Sequence, residues 1–332
     1  MSVKRAMTVL GPVPPEALGV TLTHDHLLFD QTQYASAPAS TKIPDNARVD
    51  DPGLAASEAS LFKQAGGDTI VDVSTRGLGR NPVGLASIAR ATGLNIITAC
   101  GYYKAYGHPP EMSERSIEDI TSEFKREIEV GIEDTGIRAG VIGEIATGQP
   151  LYETPSEIWD LTNREDMVPN EKKVLRAAGR AQIETDAPIS VHIYNYRPNR
   201  LAHHCLDILE KEGTNLERVA ICHLDTRPDP DYVESIANRG AFVEFDTFGM
   251  ESGDMTQDTN RIELVLETIK RGYLNHILLS QDVCWKSLLV KYGGQGYAHI
   301  SKQIEPRFRS AGINDMQIQA MRVHNPARWL TF

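Results

Sequence analysis

Six residues of the types that bind metal ions lie at or near the ends of short apolar runs. They are His24, His26, Glu144, His192, His223 and Asp282. Imidazole nitrogens and carboxylate oxygens are common ligands of divalent ions in proteins. Any one of these residues could instead be a core side chain with an ordinary hydrogen-bond partner. The chain has only ten histidines, however, and four of them share this placement, so the set predicts a metal site.

The spacing of His24 and His26 supports this prediction. Successive side chains of a strand point to opposite faces, so residues two apart point the same way. Two imidazoles can then converge on one ion while Asp25 faces elsewhere. Glu144 and Asp282 lie in apolar surroundings, within VIGEIA and LLSQDV. A buried carboxylate is costly unless it is paired, and a metal ion offsets that cost as well as an arginine would.

The apolar runs alternate with helical patterns. They are rich in Val and Ile, as parallel strands buried on both faces are, and they cover residues 19–26, 68–75, 95–103, 137–146, 188–194, 217–225, 241–248 and 276–283. Apolar residues spaced by three or four fill the intervening segments, and an eighth helix is expected over about residues 312–330. Eight such repeats predict an α/β fold, a (β/α)₈ TIM barrel that forms a single domain over residues 1–332. A doubly wound open sheet is the alternative.

In a (β/α)₈ barrel the catalytic residues lie at the C-terminal ends of the strands. The six candidates fall at the ends of the first, fourth, fifth, sixth and eighth runs, which favours the barrel over the open sheet. Two further residues at this end are expected to bind substrate. Tyr103 closes the third run and Trp285 follows the eighth; for Tyr103, packing in the core is an equal alternative.

The residues at these positions resemble the phosphotriesterase family of the amidohydrolase superfamily. The similar motifs begin at TVLGPV (8–13), continue through THDHL, VIGEIATG, VHIY, CHLD and SQDV, and end at NPARWL (325–330). Within the family the chain is most similar to the phosphotriesterase-related proteins, with a shared YGGxGYxHI loop and a closing NPxxWLTF. The resemblance implies a barrel that holds two divalent metal ions. Zn²⁺ is the expected ion, with Mn²⁺ and Co²⁺ as alternatives.

The resemblance also implies which residues hold each ion. His24, His26 and Asp282 would bind the more buried ion, and His192 and His223 the more exposed one. Asp282 would in addition be the catalytic residue that takes the proton of the attacking water.

The ligand that joins the two ions would be Glu144. Many members of the family use a carboxylated lysine there, but Gly143 stands where that lysine falls, and a small bulge would aim Glu144 inward instead. A second departure concerns the substrate. Family lactonases usually carry Arg after the acid of the seventh strand, whereas this chain has DTFG (246–249). This disfavours acyl-homoserine lactones and leaves other lactones open.

The overall composition excludes several classes of partner. The formal charge is −11, without a cluster of Lys and Arg, so nucleic acid is not expected as a partner. No apolar stretch approaches the length of a membrane span. The N-terminus lacks the pattern of a secretory signal, and the four cysteines form no CxxC pair, so we expect a cytoplasmic protein with reduced thiols. The expected partner is a small-molecule substrate, and a homodimer stays open.

Together these features predict a binuclear metal-dependent hydrolase. Its hydroxide, held between two metal ions, would attack a carboxylic lactone, ester or amide. Hydrolysis of a phosphotriester (organophosphate) is the alternative chemistry. A non-catalytic barrel that only binds a ligand is a further alternative, against which the complete ligand set argues. A single-metal deaminase is disfavoured because Glu144 is of the type that bridges two ions.

Overall fold

The computed structural model describes residues 4–32, 46–147, 167–193, 200–251 and 255–332. In chain order the strands are β1 (Ala6–Thr8), β2 (Gly11–Val13), β3 (Thr21–Asp25), β4 (Phe29–Asp30), β5 (Arg48–Val49), β6 (Thr69–Asp72), β7 (Asn95–Cys100), β8 (Val141–Thr147), β9 (Ile189–Ile193), β10 (Val219–Ile221), β11 (Phe242–Phe245) and β12 (Ile277–Leu279). The α-helices are α1 (Pro52–Gln64), α2 (Pro82–Thr92), α3 (Ile117–Glu129), α4 (Pro169–Thr185), α5 (Leu201–Glu212), α6 (Pro230–Ala237), α7 (Asp258–Lys270), α8 (Glu305–Ser310), α9 (Asp315–Gln319) and α10 (Asn325–Leu330).

Eight strands form one parallel sheet in the order β3, β6, β7, β8, β9, β10, β11, β12. The two edges of the sheet meet. The Asp282 amide donates a hydrogen bond to the His24 carbonyl at 3.1 Å, and the Thr23 hydroxyl donates to the Leu279 carbonyl at 3.3 Å. The sheet is therefore a nearly closed barrel, and the predicted (β/α)₈ fold is confirmed. Each predicted run contains or overlaps one barrel strand, although residue 194 lies outside the described part.

Local signals in the sequence fix where the helices begin and end. Helix α3 starts with a capping box, in which the side chains of Ser116 and Asp119 each accept from the other's backbone amide. Helices α2 and α5 end at Gly93 (φ 70°) and Gly213 (φ 91°), because a left-handed turn suits a residue without Cβ. The last predicted helix is observed as α9, a π-helical turn at Ala320–His324, and α10.

The core has two parts because strand side chains alternate. One cluster packs between the sheet and the helices. The other collects the opposite faces of the barrel strands around the fully buried Trp329: Val71, Val73, Ile97, Ala99, Val141, Ala220, Phe242 and Leu278. Arg218 holds this end of the chain in place, because its guanidinium donates to the carbonyls of Arg328 and Trp329 at 3.0 Å. The N-terminal end of the barrel is thus filled with apolar side chains, and the polar chemistry lies at the other end.

Strand β8 contains an irregularity that decides which of its residues faces the interior. Ile142 pairs with Ile189, but the next pair is Ile145 with Val191, so three steps on β8 match two on β9. Gly143 lies between them with φ 105°, and a Cβ there would lie 2.1 Å from the Ser190 carbonyl oxygen. A side chain at residue 143 is therefore excluded. The bulge makes Glu144, rather than residue 143, the next inward residue after Val141.

Some short elements were not predicted from the sequence. Strands β1 and β2 form a hairpin, and β4 pairs with β5; these strands have only two or three residues each, too few for a periodic pattern. The Gly-rich segment after β12 leads into a π-helical turn at Ile300–Ile304 and then α8. Within this segment the Tyr297 hydroxyl donates to the His26 carbonyl at 2.8 Å. The segment therefore supports the end of the first barrel strand.

Candidate metal centre

The carboxylate of Glu144 lies among four imidazoles at the C-terminal ends of three barrel strands. Its Oε1 atom is 2.6 Å from His192 Nδ1 and 3.2 Å from His223 Nε2. The same oxygen is 3.5 Å from His24 Nε2, and Oε2 is 4.0 Å from His26 Nε2. A single carboxylate can thus contact ligands from β3, β9 and β10 at once.

The sixth candidate, Asp282, completes the cluster from the other side. Its Oδ1 atom is 3.3 Å from His26 Nε2 and 3.9 Å from His24 Nε2. Its side chain is 15% exposed, the largest fraction among the six candidates. The six residues that the sequence analysis singled out therefore come together in one place, and Asp282 is the one nearest solvent.

His24 provides the test of whether this cluster fits a metal ion. Both of its ring nitrogens are buried and neither has a hydrogen-bond partner. A buried polar atom without a hydrogen bond lowers the free energy of unfolding. The separations of 3.5 and 3.9 Å from Nε2 to Glu144 and Asp282 are too long for hydrogen bonds. Tetrahedral zinc ligands, each about 2.0–2.2 Å from the ion, lie roughly 3.3 Å apart, so the donor set and its spacing fit a divalent ion.

Two of the six candidates have unusual backbone conformations. His223 (φ 60°) and Asp282 (φ 46°) lie in the left-handed region, which costs about 1–3 kcal/mol for a residue with a side chain. The His223 amide donates to both Asp246 oxygens at 3.1 Å, and the Asp282 amide donates to the His24 carbonyl. These bonds keep the chain turned away from a regular strand and direct both side chains toward the cluster.

Hydrogen bonds behind the histidines determine which nitrogen faces inward. His26 Nδ1 lies 2.9 Å from the Ser74 hydroxyl, and His223 Nδ1 lies 2.9 Å from Asp246 Oδ1. With Nδ1 occupied in each ring, Nε2 is left to face Glu144 and Asp282. Such outer partners orient the ligands of a metal and raise their basicity.

Two carboxylates behind His24 were not predicted as part of the site. Glu244 Oε2 and Asp246 Oδ2 lie 3.7 and 3.6 Å from His24 Nδ1, and Glu244 also accepts from the Cys222 thiol at 3.3 Å. The spacing of these two carboxylates in the sequence could have indicated them. Glu244 and Asp246 are two residues apart at the end of the seventh run, the same spacing that draws attention to His24 and His26.

Two side chains of the cluster, Glu144 and His192, are already in the forms that bind metal. Burial alone would raise the pKa of the Glu144 carboxyl, but His192, His223 and His24 surround it and hold that pKa well below its usual range. Burial lowers the pKa of His192 to about 4. Glu144 is therefore ionised and His192 neutral at pH 7, and these are the forms in which the two side chains bind metal. Burial would lower the pKa of His24, His26 and His223, but the acidic groups around them raise it, so these three rings would release a proton when a metal binds.

The remaining predicted positions differ in how close they lie to the cluster. The Tyr103 ring packs edge-on against His192, with centroids 5.1 Å apart. Trp285 is partly exposed, and within the described residues its ring makes no aromatic contact with the six candidates. Asp25 faces away, as expected from its position in the strand, and accepts from the Ser280 hydroxyl at 2.7 Å and the Val283 amide at 2.9 Å.

A nearly closed barrel with this cluster at the strand ends defines the class of metal-dependent (β/α)₈ hydrolases. A sequence profile of the phosphotriesterase family matches residues 4–330. The chain belongs to that family, and it is a metal-dependent hydrolase.

Similar proteins cover nearly the whole chain. An N-acetyltaurine hydrolase of Danio rerio is 32% identical over 361 residues, which span 99% of this chain and 98% of the relative. Among solved structures, a resiniferatoxin-binding protein from Rhodobacter sphaeroides is 36% identical with a TM-score of 0.86, over 98% of this chain and 94% of the other. A lactonase from Listeria monocytogenes is 27% identical with a TM-score of 0.84, over 99% of each chain. Among the helices described here, none combines the length and apolar character needed to cross a membrane.

Proposed function

We propose that this protein hydrolyses a carboxylic amide, ester or lactone at a site for two divalent metal ions. The observation that carries the proposal is the position of Glu144, one carboxylate within 4.0 Å of four imidazoles. Among the relatives, an N-acetyltaurine hydrolase and a lactonase support a carboxylic substrate, and an organophosphorus hydrolase from Deinococcus radiodurans supports the alternative of a phosphotriester. Among these substrates we favour an N-acyl amide, because the N-acetyltaurine hydrolase is the more similar in sequence.

The proposed ligand sets are those that the family resemblance implies. His24, His26 and Asp282 would hold the inner ion, His192 and His223 the outer ion, and Glu144 would contribute to both. Zn²⁺ suits nitrogen and oxygen ligands of this kind, with Mn²⁺ or Co²⁺ as alternatives. When bound, such ions lower the pKa of water and polarise a carbonyl group.

The side chains at the mouth have separate roles. Asp282 is the most exposed carboxylate of the cluster, so we assign its carboxylate to receive the proton of the attacking water and to pass it to the leaving amine or alcohol. Tyr103, which packs on His192, and Trp285, which follows Asp282, are proposed to line the substrate pocket. A single domain over residues 1–332 is part of the proposal. The cytoplasmic location and a homodimer stay predictions from the sequence.

A hydrolysis screen tests the proposed function. Protein freed of metal and reloaded with Zn²⁺, Mn²⁺ or Co²⁺ is assayed with N-acyl amino acids and amino sulfonates, lactones and aryl phosphotriesters, while its metal content is measured. We expect turnover of a carboxylic substrate that requires about two ions per chain. If the protein hydrolyses only phosphotriesters, the proposed carboxylic substrate is wrong and phosphotriester hydrolysis is the function. One ion at full activity would exclude the binuclear site, and tight metal binding without any turnover would favour a binding protein.

A further inference from the structure

A lysine that the sequence analysis did not consider lies at the mouth of the barrel. Lys104 follows β7 and the predicted pocket residue Tyr103, and its Nζ atom lies 4.6 Å from the centre of the Tyr103 ring. The Tyr103 ring in turn is 5.1 Å from the His192 ring. The Tyr103 ring therefore contacts both the Lys104 ammonium group and His192, and the ammonium group is close to the candidate metal centre.

The backbone on both sides of Lys104 is held in place. The Tyr103 carbonyl accepts from His108 Nε2 at 3.2 Å, and the Ala105 amide donates to Glu171 at 3.4 Å. Burial lowers the pKa of His108 to about 4, so this ring stays neutral and donates its one proton to the Tyr103 carbonyl. The position of Lys104 is thus part of the folded loop rather than a free surface conformation.

Lys104 differs from the other buried cations of the protein. Arg80 pairs with Glu127 at 2.7 Å, and Arg261 pairs with Asp258 at 2.8 Å. Within the described residues Lys104 has no carboxylate within 4.0 Å, and its contact is the face of Tyr103. Burial lowers the pKa of Lys104 to about 8, which leaves most of it charged at pH 7. Lys104 is partly buried, and acidic groups at longer range, among them Glu144 and Asp282, act to raise its pKa without pairing with it directly. A partly buried charge without a direct ion pair is costly, so an anionic partner at this position is favourable.

The metal centre cannot be that partner once its ions are bound. The proposed ligand set holds two carboxylates, Glu144 and Asp282, against two divalent cations, so the loaded cluster is itself positive. Glu244 and Asp246 add negative charge behind the histidines, at His24 Nδ1 for both and at His223 Nδ1 for Asp246. Glu171 is a further carboxylate within electrostatic range of Lys104, but among the described residues it does not pair with the ammonium group. An anionic group of a ligand that enters the mouth can therefore form a direct ion pair with Lys104.

We propose that Lys104 binds an anionic group of the substrate, a sulfonate or carboxylate a few bonds beyond the scissile amide. This inference rests on the proposed function and narrows it to short N-acyl amides with an acidic head group. The acyl carbon of the substrate would lie beside His192, and its chain would run along the Tyr103 ring. Its anionic group would then contact the Lys104 ammonium group. Neutral lactones and phosphotriesters have no group for this position.

Matched substrates test the proposal. N-acetyl-2-aminoethanesulfonate and 3-acetamidopropanoate are compared with the neutral N-(2-hydroxyethyl)acetamide, using the zinc-loaded wild type and Lys104→Met, Lys104→Arg and Lys125→Met variants. Methionine keeps the stem against Tyr103 and removes the charge. Lys125 is an exposed lysine of α3 that pairs with Glu184, so its variant is a control for loss of one positive charge far from the mouth.

The measured quantity is the ratio of kcat/KM for the anionic substrate to that for the neutral one. We expect Lys104→Met to lower this ratio about 10- to 100-fold, mainly through KM, as for loss of a charge-assisted hydrogen bond. Lys104→Arg should keep most of the ratio, and Lys125→Met all of it. The two anionic substrates show whether sulfonate or carboxylate is preferred. An equal fall for the anionic and neutral substrates would mean that Lys104 is only structural and would overturn the proposal.

A binding measurement separates this inference from the proposed function. Propane-1-sulfonate is titrated calorimetrically into the zinc-loaded wild type and Lys104→Met. We expect weaker binding to the variant, by a factor similar to the change in the ratio. Equal binding would place the anion elsewhere and overturn the role of Lys104. If the wild type hydrolyses none of the amides, the proposed function fails, but the titration still decides whether Lys104 binds the anion.

Discussion

The candidate metal centre has two halves that differ in spacing. We use "inner half" for His24, His26 and Asp282, and "outer half" for His192 and His223, with Glu144 between them. In the inner half the ligand atoms are 3.3 and 3.9 Å apart, from Asp282 to His26 and to His24. In the outer half His223 Nε2 lies 2.8 Å from His192 Nδ1, which is itself 2.6 Å from Glu144. The inner half is spaced as the ligands of one ion are, and the outer half is joined by direct hydrogen bonds.

This difference indicates how the two ions would bind. The inner half needs little movement to surround an ion, since the nitrogens of His24 are buried without hydrogen bonds. The outer half must first separate His192 from Glu144 and His223. The two histidines of the inner half are also more deeply buried, with His24 at 0% and His26 at 2% exposed, against 9% for His192 and 5% for His223. We therefore expect the inner ion to bind first and more tightly, and the outer ion to be the one that chelators remove first.

The second difference lies in what supports each half from behind. In the inner half the neutral Ser74 hydroxyl contacts His26, whereas Glu244 and Asp246 lie 3.7 and 3.6 Å from His24 Nδ1, beyond hydrogen-bond distance. A carboxylate, from Asp246, contacts the His223 ring and also accepts from the His223 amide, where the backbone is in the left-handed region. The outer half thus depends on one charged residue both for the orientation of its imidazole and for its backbone conformation.

The largest expected effect comes from removing the charge between the halves. Glu144→Gln keeps the shape of the side chain but loses its negative charge and one acceptor oxygen. We expect kcat to fall by a factor on the order of 10² or more, with loss of the outer ion and retention of the inner one. The fold should survive, because the core of the barrel is apolar. Steady-state kinetics and elemental analysis of the reloaded variant measure both effects.

Two controls accompany this variant. Glu184→Gln removes a carboxylate that is 47% exposed and pairs with Lys125, and its activity should equal that of the wild type. Activity of the wild type should not depend on added bicarbonate, as it would with a carboxylated lysine. A Glu144→Gln protein with both ions and full activity would mean that Glu144 does not join the two halves.

The sequence was sufficient to predict the barrel and to select the six residues that meet at its mouth. The near-continuous apolar strands, the glycines before them and the polar residues at their ends all indicate the same fold, and none of these signals depends on distant contacts. The position of Glu144 was harder to justify, because simple alternation after Val141 makes residue 143 the inward one. The irregular pairing of β8 with β9 resolves this, and Gly143 is the local sign of it.

What the sequence did not yield depends on contacts between distant segments. Asp246 and Ser74 matter because of the rings they contact, and these rings belong to other strands. The sequence pattern does not indicate Lys104, because a lysine after a strand is ordinarily exposed, and only the packing of Tyr103 and its loop shows that this one is partly buried. The left-handed backbone of His223 and Asp282 likewise follows from hydrogen bonds to other strands rather than from the residue types.

An intermediate effect is expected from the support behind the histidines. Asp246→Asn keeps an acceptor near the His223 ring but removes the charge, and we expect the affinity for the outer ion to fall about 10- to 100-fold. Ser74→Ala removes a neutral partner from His26 and should weaken the inner ion less. Competition with a chromophoric chelator measures both affinities for Zn²⁺. If Ser74→Ala has the larger effect, or if Asp246→Asn weakens the inner ion instead, the proposed division into halves is wrong.

The smallest effect is expected at the two predicted pocket residues. Tyr103 lies on the outer half, against His192, and Trp285 follows Asp282 of the inner half without an aromatic contact to the cluster. Tyr103→Leu removes an edge-on ring contact of the kind that contributes about 0.5–1.5 kcal/mol, so we expect KM to rise by a factor of roughly 2 to 10 with the metal content unchanged. Trp285→Leu should alter KM less than Tyr103→Leu, and it should change the preference among substrates rather than metal binding. Kinetics on the best substrate of the screen, with elemental analysis of each variant, decide this. Unchanged kinetics in both variants would assign the two rings to packing alone, and loss of metal in Tyr103→Leu would show that this ring holds His192 in place rather than the substrate.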